Sequence, residues 1–126
     1  MMTTNQNQAI KAMEEATNHH GPSIIIAYSP CIAHGIIKGM SSSIEEEKNA
    51  TESGYFPLFR YNPDTKEFKM DSKADFSRYY EFISGEDRYR TLKQINPDNY
   101  HELLEGNKLN SEERYQSLED INKNNN

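Results

Sequence analysis

One short segment, residues 23–28, most constrains what this chain can fold into. Its sequence is Ser-Ile-Ile-Ile-Ala-Tyr, in which apolar residues follow one another without polar alternation. This pattern is typical of a strand that is covered on both faces, as in a parallel sheet. Such a strand needs neighbouring strands and a layer of helices on each side, yet residues 55–61 are the only other convincing strand. The sequence therefore predicts part of an α/β fold rather than a complete one.

The rest of the chain is predicted to be mostly helical. Apolar spacing and capping residues predict helices at residues 4–16, 42–54, 75–83, 96–104 and 111–121. The second of these is predicted to start at Ser42 or Ser43, because each has a glutamate three residues later, as in a capping box. A turn at residues 62–64 and a brief strand at residues 67–70 lie between the helices, and the asparagine-rich residues 122–126 are predicted to be disordered.

The composition excludes several classes of protein. The formal net charge is -6, which repels the phosphate backbone, so we exclude nucleic acid as a partner. No apolar run approaches the ~20 residues that a membrane span needs, and residues 1–7 lack the regions of a signal peptide. We therefore expect a soluble protein that is not secreted. The chain has one cysteine and cannot form an internal disulfide, which fits a reducing compartment.

The chemistry of the chain is predicted to centre on that cysteine, Cys31. Ser29 and Pro30 before it are typical of a helix start, and a cysteine in the first helical turn is favoured as a thiolate by the helix dipole. A thiolate can bind a metal or act as a nucleophile. Cys31 also follows the end of the predicted strand, where ligands bind in open α/β sheets. The competing interpretation is a small buried residue that packs under the strand end, which is the commoner role of a lone cysteine.

His34 lies three residues after Cys31 and could share a helical face with it. The two residues could form a nucleophilic pair in a small hydrolase or thiol enzyme, but the sequence identifies neither an orienting group nor an oxyanion site. They could also be two metal ligands, although nothing at zinc-site spacing completes the set. Three other groups of residues are interpreted as solvated or packing surface: the histidines at 19–20, the glutamates at 45–47, and the aromatic residues of 55–61 and 76–82.

Several short motifs follow one another along the chain. They are Gly-Pro-Ser-Ile-Ile-Ile-Ala-Tyr-Ser-Pro-Cys-Ile-Ala-His-Gly at residues 21–35, Gly54-Tyr55, Arg60-Tyr61-Asn62-Pro63, Asp71-Ser72-Lys73 and Gly85-Glu86-x-Arg88-Tyr89. In order and approximate spacing this set closely resembles the carboxy-terminal region of pyruvate:ferredoxin (flavodoxin) oxidoreductase. The resemblance covers about residues 8–118.

For the fold, the resemblance implies an α/β class with a partial doubly wound sheet, the edge of a thiamine-diphosphate-binding domain, followed by a mostly helical tail. Residues 1–90 would be the carboxy-terminal part of that domain. Residues 91–121 would be a helical extension, and residues 122–126 a disordered tail.

For function, the resemblance implies oxidative decarboxylation of pyruvate with coenzyme A to acetyl-CoA and carbon dioxide, with electrons leaving through iron–sulfur clusters to ferredoxin or flavodoxin. In the family, the cysteine of the Tyr-x-Pro-Cys-Ile motif is a ligand of the 4Fe-4S cluster nearest thiamine, and Cys31 matches it. His34 matches the pattern too, and we expect it to tune the cluster through a hydrogen bond.

The same resemblance places the remaining parts of the enzyme elsewhere. The motif that binds thiamine diphosphate and magnesium, and the other cluster cysteines, are expected upstream of Gln8 in the remainder of the oxidoreductase chain. We therefore expect the isolated chain to be inactive, and the whole enzyme to be a homodimer in the cytoplasm, or in an anaerobic organelle if the source is eukaryotic. The alternative is a stand-alone interaction or regulatory module without catalysis, which a reading frame that begins at Met1 would favour.

Overall fold

The structure, a computed structural model, describes residues 4–31 and 35–125. In these ranges the fold is mixed α/β, with five α-helices and one two-stranded antiparallel sheet. The helices are α1 (Gln6–Asn18), α2 (Ser43–Glu52), α3 (Tyr79–Gly85), α4 (Asp87–Ile95) and α5 (Tyr100–Asn124), and the strands are β1 (Phe59–Asn62) and β2 (Glu67–Met70). Short 3-10 turns at Met40–Ser42 and Phe76–Arg78 lead directly into α2 and α3.

The sheet is a hairpin that is attached to the first helix. Phe59 of β1 pairs with Met70 of β2, and the register continues to the turn. Beside the hairpin, Arg60 Nε and Nη2 donate to the two carboxylate oxygens of Asp71 over 2.6 and 3.0 Å. Gln8 Nε2 of α1 donates to the same carboxylate over 3.1 Å. The predicted turn and the predicted strand at residues 67–70 are confirmed, whereas the strand expected at 55–61 begins only at Phe59.

The core joins α2, α3 and α5. Its buried apolar residues are Ala50, Leu58, Tyr79, Phe82, Ile83 and Leu104. Tyr79 is fully buried, and its hydroxyl donates to Asn107 Oδ1 of α5 over 2.6 Å and lies 2.8 Å from the Ser111 hydroxyl oxygen. These contacts satisfy the buried polar groups and hold the long last helix against α3.

Most predicted helices are confirmed, with changes at their ends. Ser42 does not cap α2 but donates its hydroxyl to Gly39 O over 2.7 Å, so the predicted capping box is wrong. Asp75 does cap the next helical segment, because its carboxylate accepts from Ser77 N over 3.0 Å.

The carboxy-terminal part is helical, as predicted, but it is divided differently. The helices predicted at residues 96–104 and 111–121 are one helix, α5, which passes through Gly106 without a break. It continues to Asn124, so residues 122–124 are helical rather than disordered. Helix α4 was not predicted, and it crosses the expected domain boundary between residues 90 and 91.

In the isolated chain the predicted strand at residues 23–28 is wrong. Residues 22–31 have no regular secondary structure, and the side chains of Ile24 and Ile26 are 87% and 69% exposed. The sheet within the described ranges pairs β1 with β2 alone, so it gives this segment no neighbouring strand. An apolar strand without a sheet to join has neither ladder hydrogen bonds nor a covered face, and a doubly wound sheet is not seen in these ranges.

None of the helices in the described ranges is both long enough and apolar enough to cross a membrane.

Candidate functional site around Cys31

Cys31 lies at the end of the irregular segment and is exposed. Gly35 N donates to Cys31 O over 3.1 Å. Gly35 has a φ of 65°, in the left-handed region that favours glycine, and this conformation suits the end of a turn. Residues 29–31 are not helical, so the helix start predicted there is not seen. The interpretation of Cys31 as a buried packing residue is wrong.

His34 lies outside the described residues, so its pairing with Cys31 stays a prediction. His20 is exposed, as expected for a solvated loop residue. His19 is half-buried, and its Nδ1 lies 2.9 Å from Asp64 Oδ2 in the hairpin turn. That contact links the end of α1 to the hairpin and does not involve Cys31.

Cys31 suits the role of one ligand in a shared metal site. A 4Fe-4S cluster is usually held by four cysteine thiolates, and this chain has one cysteine. Within residues 4–31 and 35–125, no three histidine, cysteine or acidic side chains form a group that could hold a metal ion. The exposed position of Cys31 leaves it accessible to a group whose other ligands come from elsewhere.

The segment before Cys31 is attached to the core through Tyr28. The Tyr28 hydroxyl donates to Glu86 Oε1 over 3.4 Å. Its ring contacts Tyr55 edge-on and packs at a tilt against Phe56, with centroid distances of 6.3 and 5.3 Å. Tyr28 is half-buried, in contrast to the exposed isoleucines just before it.

The segment after Cys31 is attached to the same place by its backbone. Ile36 and Glu86 form an isolated antiparallel bridge, in which Ile37 N donates to Gly85 O over 3.0 Å. Asp87 N donates to Gly35 O over 3.4 Å. Residues 28–31 and 35–37, hereafter the Cys31 loop, are therefore attached on both sides of Cys31 to residues 85–87, hereafter the α3–α4 joint.

Glu86 in this joint is buried and has a compensating cation. It is 3% exposed, and Arg88 Nη2 lies 3.3 Å from its Oε2. Arg88 also lies over the rings of Tyr55 and Tyr89, at 5.6 and 5.0 Å from their centroids. Burial, and then the negative charge of Glu86, raise the pKa of Tyr28, which keeps its hydroxyl protonated as the donor to Glu86.

A second buried carboxylate, Glu46, lies next to this joint. The residues at 45–47 were expected to be a solvated face, and Glu45 fits that expectation, but Glu46 and Glu47 are each only 5% exposed. The sequence held a signal for Glu46, because it precedes the fully buried Ala50 by four residues and so shares its helix face. Burial, and then the charge of Glu86, raise the pKa of Glu46.

No protein-family model matches the chain. The chain is 42% identical over 108 residues to the pyruvate:ferredoxin oxidoreductase of Moorella thermoacetica, a match that covers 82% of the chain and 9% of that enzyme. It is 38% identical over 123 residues to the pyruvate-flavodoxin oxidoreductase of Enterobacter agglomerans, covering 85% of the chain and 10% of the relative.

A relative that carries a different enzyme name also matches the chain. The mitochondrial pyruvate dehydrogenase [NADP(+)] of Euglena gracilis is 38% identical over 98 residues, which cover 74% of the chain and 5% of that protein. The chain thus spans a tenth or less of the length of these three relatives. By sequence it is similar to one segment of the pyruvate:ferredoxin and pyruvate-flavodoxin oxidoreductases.

Proposed function

We propose that this chain is a segment of a pyruvate:ferredoxin (flavodoxin) oxidoreductase and that Cys31 gives one thiolate ligand to its 4Fe-4S cluster nearest thiamine. The observation that carries the proposal is the exposed Cys31, on a loop held at both ends, in a chain so similar to these enzymes. When bound, such a cluster accepts and passes on electrons. Cys31 would hold it, and the other three ligands would come from the remainder of the enzyme.

The exposed isoleucines support a proposal for the fold of the whole enzyme. Residues 23–28 would become a strand in the doubly wound sheet of a thiamine-diphosphate-binding domain, with neighbouring strands supplied by the remainder of the chain. Ile24 and Ile26 are 87% and 69% exposed here. Burying an isoleucine contributes about 1.5–3 kcal/mol, so the segment would gain substantially from such a sheet. The division into residues 1–90, 91–121 and 122–126 stays a prediction about that whole enzyme.

The activity proposed for the whole enzyme is the oxidative decarboxylation of pyruvate with coenzyme A, with ferredoxin or flavodoxin as the electron acceptor. Thiamine diphosphate and magnesium would bind to other parts of a homodimeric enzyme, in the cytoplasm or an anaerobic organelle. We accordingly propose that the isolated chain has no turnover.

The test replaces the aligned segment of the full-length Moorella thermoacetica enzyme with this chain and compares Cys31→Ser with Ser29→Ala, a nearby control. We expect Cys31→Ser to lose about four iron atoms per enzyme chain, together with the electron paramagnetic resonance signal of one reduced cluster. The control should keep both. Unchanged iron and an unchanged signal in Cys31→Ser would overturn the assignment of Cys31 and favour the stand-alone interaction or regulatory module.

A further inference from the structure

We propose that Glu86 is a positioning residue that holds the Cys31 loop in the conformation needed for cluster ligation. This inference rests on the proposed function of Cys31. Glu86 does not ligate the cluster itself in this proposal. Its carboxylate acts through Tyr28 on one side of Cys31, while its chain neighbours Gly85 and Asp87 hold the backbone on the other side.

The two attachments are of different kinds and lie at Glu86 and its two chain neighbours. The Glu86 carboxylate accepts from the Tyr28 hydroxyl over 3.4 Å, three residues before Cys31. Glu86 faces Ile36, five residues after Cys31, and the hydrogen bonds of this bridge are made by its chain neighbours: Gly85 O accepts from Ile37 N and Asp87 N donates to Gly35 O. A loop fixed at both ends has fewer conformations than a free one, so less entropy is lost when its cysteine is ordered by a ligand.

Burial and an ion pair with Arg88 hold the Glu86 side chain in one orientation. Its side chain is 4% exposed, and a buried carboxylate is costly unless it is paired. Arg88 supplies the pairing cation, and the Tyr55 hydroxyl accepts from Arg88 Nη2 over 2.9 Å. Arg88 is thus held in turn by the aromatic residues of the core, so the chain of contacts from the core to the Cys31 loop is continuous.

This arrangement also joins two of the separated sequence motifs. The segment that ends in Tyr-Ser-Pro-Cys and the segment Gly-Glu-Asp-Arg-Tyr are more than fifty residues apart in sequence, and Tyr28 and Glu86 are 58 residues apart. If the Cys31 loop were attached to the α3–α4 joint by packing alone, apolar side chains would be expected at the joint. The use of a buried carboxylate and a tyrosine hydroxyl gives the contact a direction, because a hydrogen bond fixes the relative position of its two groups.

The first test uses the isolated chain, without any cluster, and measures hydrogen exchange of the Gly35 and Ile37 amides. We expect Tyr28→Phe and Glu86→Ala to speed exchange at both amides about three- to tenfold, the equivalent of one hydrogen bond of ordinary net strength. Glu86→Gln keeps an oxygen that can accept from Tyr28 and should restore most of the protection. Tyr61→Phe, at a tyrosine that is 58% exposed, is the matched control and should change nothing.

The second test places the same variants in the full-length Moorella thermoacetica chimera and records the line shape of the reduced-cluster signal. We expect Tyr28→Phe and Glu86→Ala to broaden it and Glu86→Gln to restore it. If Cys31→Ser leaves the cluster intact, the proposed function fails, whatever the loop variants do. If Cys31→Ser removes the cluster but Tyr28→Phe and Glu86→Ala alter neither exchange nor line shape, the role of Glu86 is overturned. Tyr28→Phe keeps this test decisive if Glu86→Ala does not fold.

Discussion

The Glu46 carboxylate lies so close to Gly85 that a Cβ atom on Gly85 would be 2.8 Å from Glu46 Oε1. A side chain at position 85 would displace Glu46, so the glycine makes room for a buried acid. Glu46 Oε1 has no hydrogen-bond partner among the described residues, and the buried Glu86 is nearby. The charged form of Glu46 is therefore unfavourable in the folded protein.

We predict that Glu46→Gln stabilises the isolated chain at pH 7 by on the order of 1 kcal/mol, because it removes a charge that burial penalises. Burial, and then the charge of Glu86, raise the pKa of Glu46 from its ordinary 4.5, while the charge of Lys38 and a hydrogen bond from Asn49 lower it without outweighing them. The measurement is urea unfolding at several pH values.

The sign of the pH dependence follows from the raised pKa. The contribution of Glu46 to stability is fully present below its unfolded pKa and is lost as the pH rises through its folded pKa. The advantage of Glu46→Gln should therefore shrink as the pH falls to 4.5 and below. Glu45→Gln, on the same helix with a side chain that is 62% exposed, should show little change at any pH. Equal behaviour of the two variants would contradict the prediction.

Asp71 should have the opposite pH dependence. Burial alone would raise its pKa, but hydrogen bonds from Arg60 and Gln8 outweigh burial and hold the pKa below its ordinary 3.8. Its contribution is present above the unfolded pKa and is lost as the pH falls through the folded pKa. We predict that Asp71→Asn destabilises the chain at pH 7 by about 1–3 kcal/mol, and that the difference narrows below pH 3.8.

Urea unfolding of Asp71→Asn beside Asp98→Asn, a change at an exposed aspartate, measures this effect. A constant difference from neutral to acidic pH would show that Asp71 acts through packing rather than through its charge.

The sequence predicts a structural feature well when residues close to it in the chain determine that feature. The turn before β2 and the helical segment that begins near Asp75 are determined by neighbouring residues, and both are confirmed. The helix predicted from residue 96 begins only at Tyr100, because residues 97–99 form a turn rather than the first turn of a helix. The helices predicted at residues 96–104 and 111–121 are continuous through Gly106, because a single glycine costs a helix only about 1 kcal/mol.

The non-local features could not be predicted. The strand at residues 23–28 depends on neighbours that the described residues do not supply, so its apolar pattern alone did not form it. The exposed position of Cys31 and the burial of Glu86 both depend on where the α3–α4 joint lies against the Cys31 loop. A contact across 58 residues leaves no periodic signal in the sequence.

Two glycines give a matched pair of predictions. Gly54 has a φ of 80°, and a Cβ there would lie 2.5 Å from Phe76 Cζ. Gly54→Ala should therefore destabilise the chain by about 2–4 kcal/mol through backbone strain and crowding.

Gly106 lies inside α5, and a Cβ there has nothing within 4 Å. Gly106→Ala should stabilise the chain by about 0.5–1 kcal/mol. Thermal unfolding of both variants checks the pair, and equal signs would contradict it.

The last prediction concerns Ile24 and Ile26. Substituting them should change the free energy of unfolding little in the isolated chain and more in the full-length enzyme. In the isolated chain the side chains are 87% and 69% exposed, so changing both to threonine should alter the free energy of unfolding by less than about 0.5 kcal/mol. Ile83→Thr, at a position that is 1% exposed, is the control and should cost about 2–4 kcal/mol. In the full-length Moorella thermoacetica chimera the double change should cost about 2 kcal/mol or more, because both side chains would be buried in a sheet. Urea unfolding of both proteins makes the comparison, and an equally small cost in the two contexts would mean that residues 23–28 do not join a sheet.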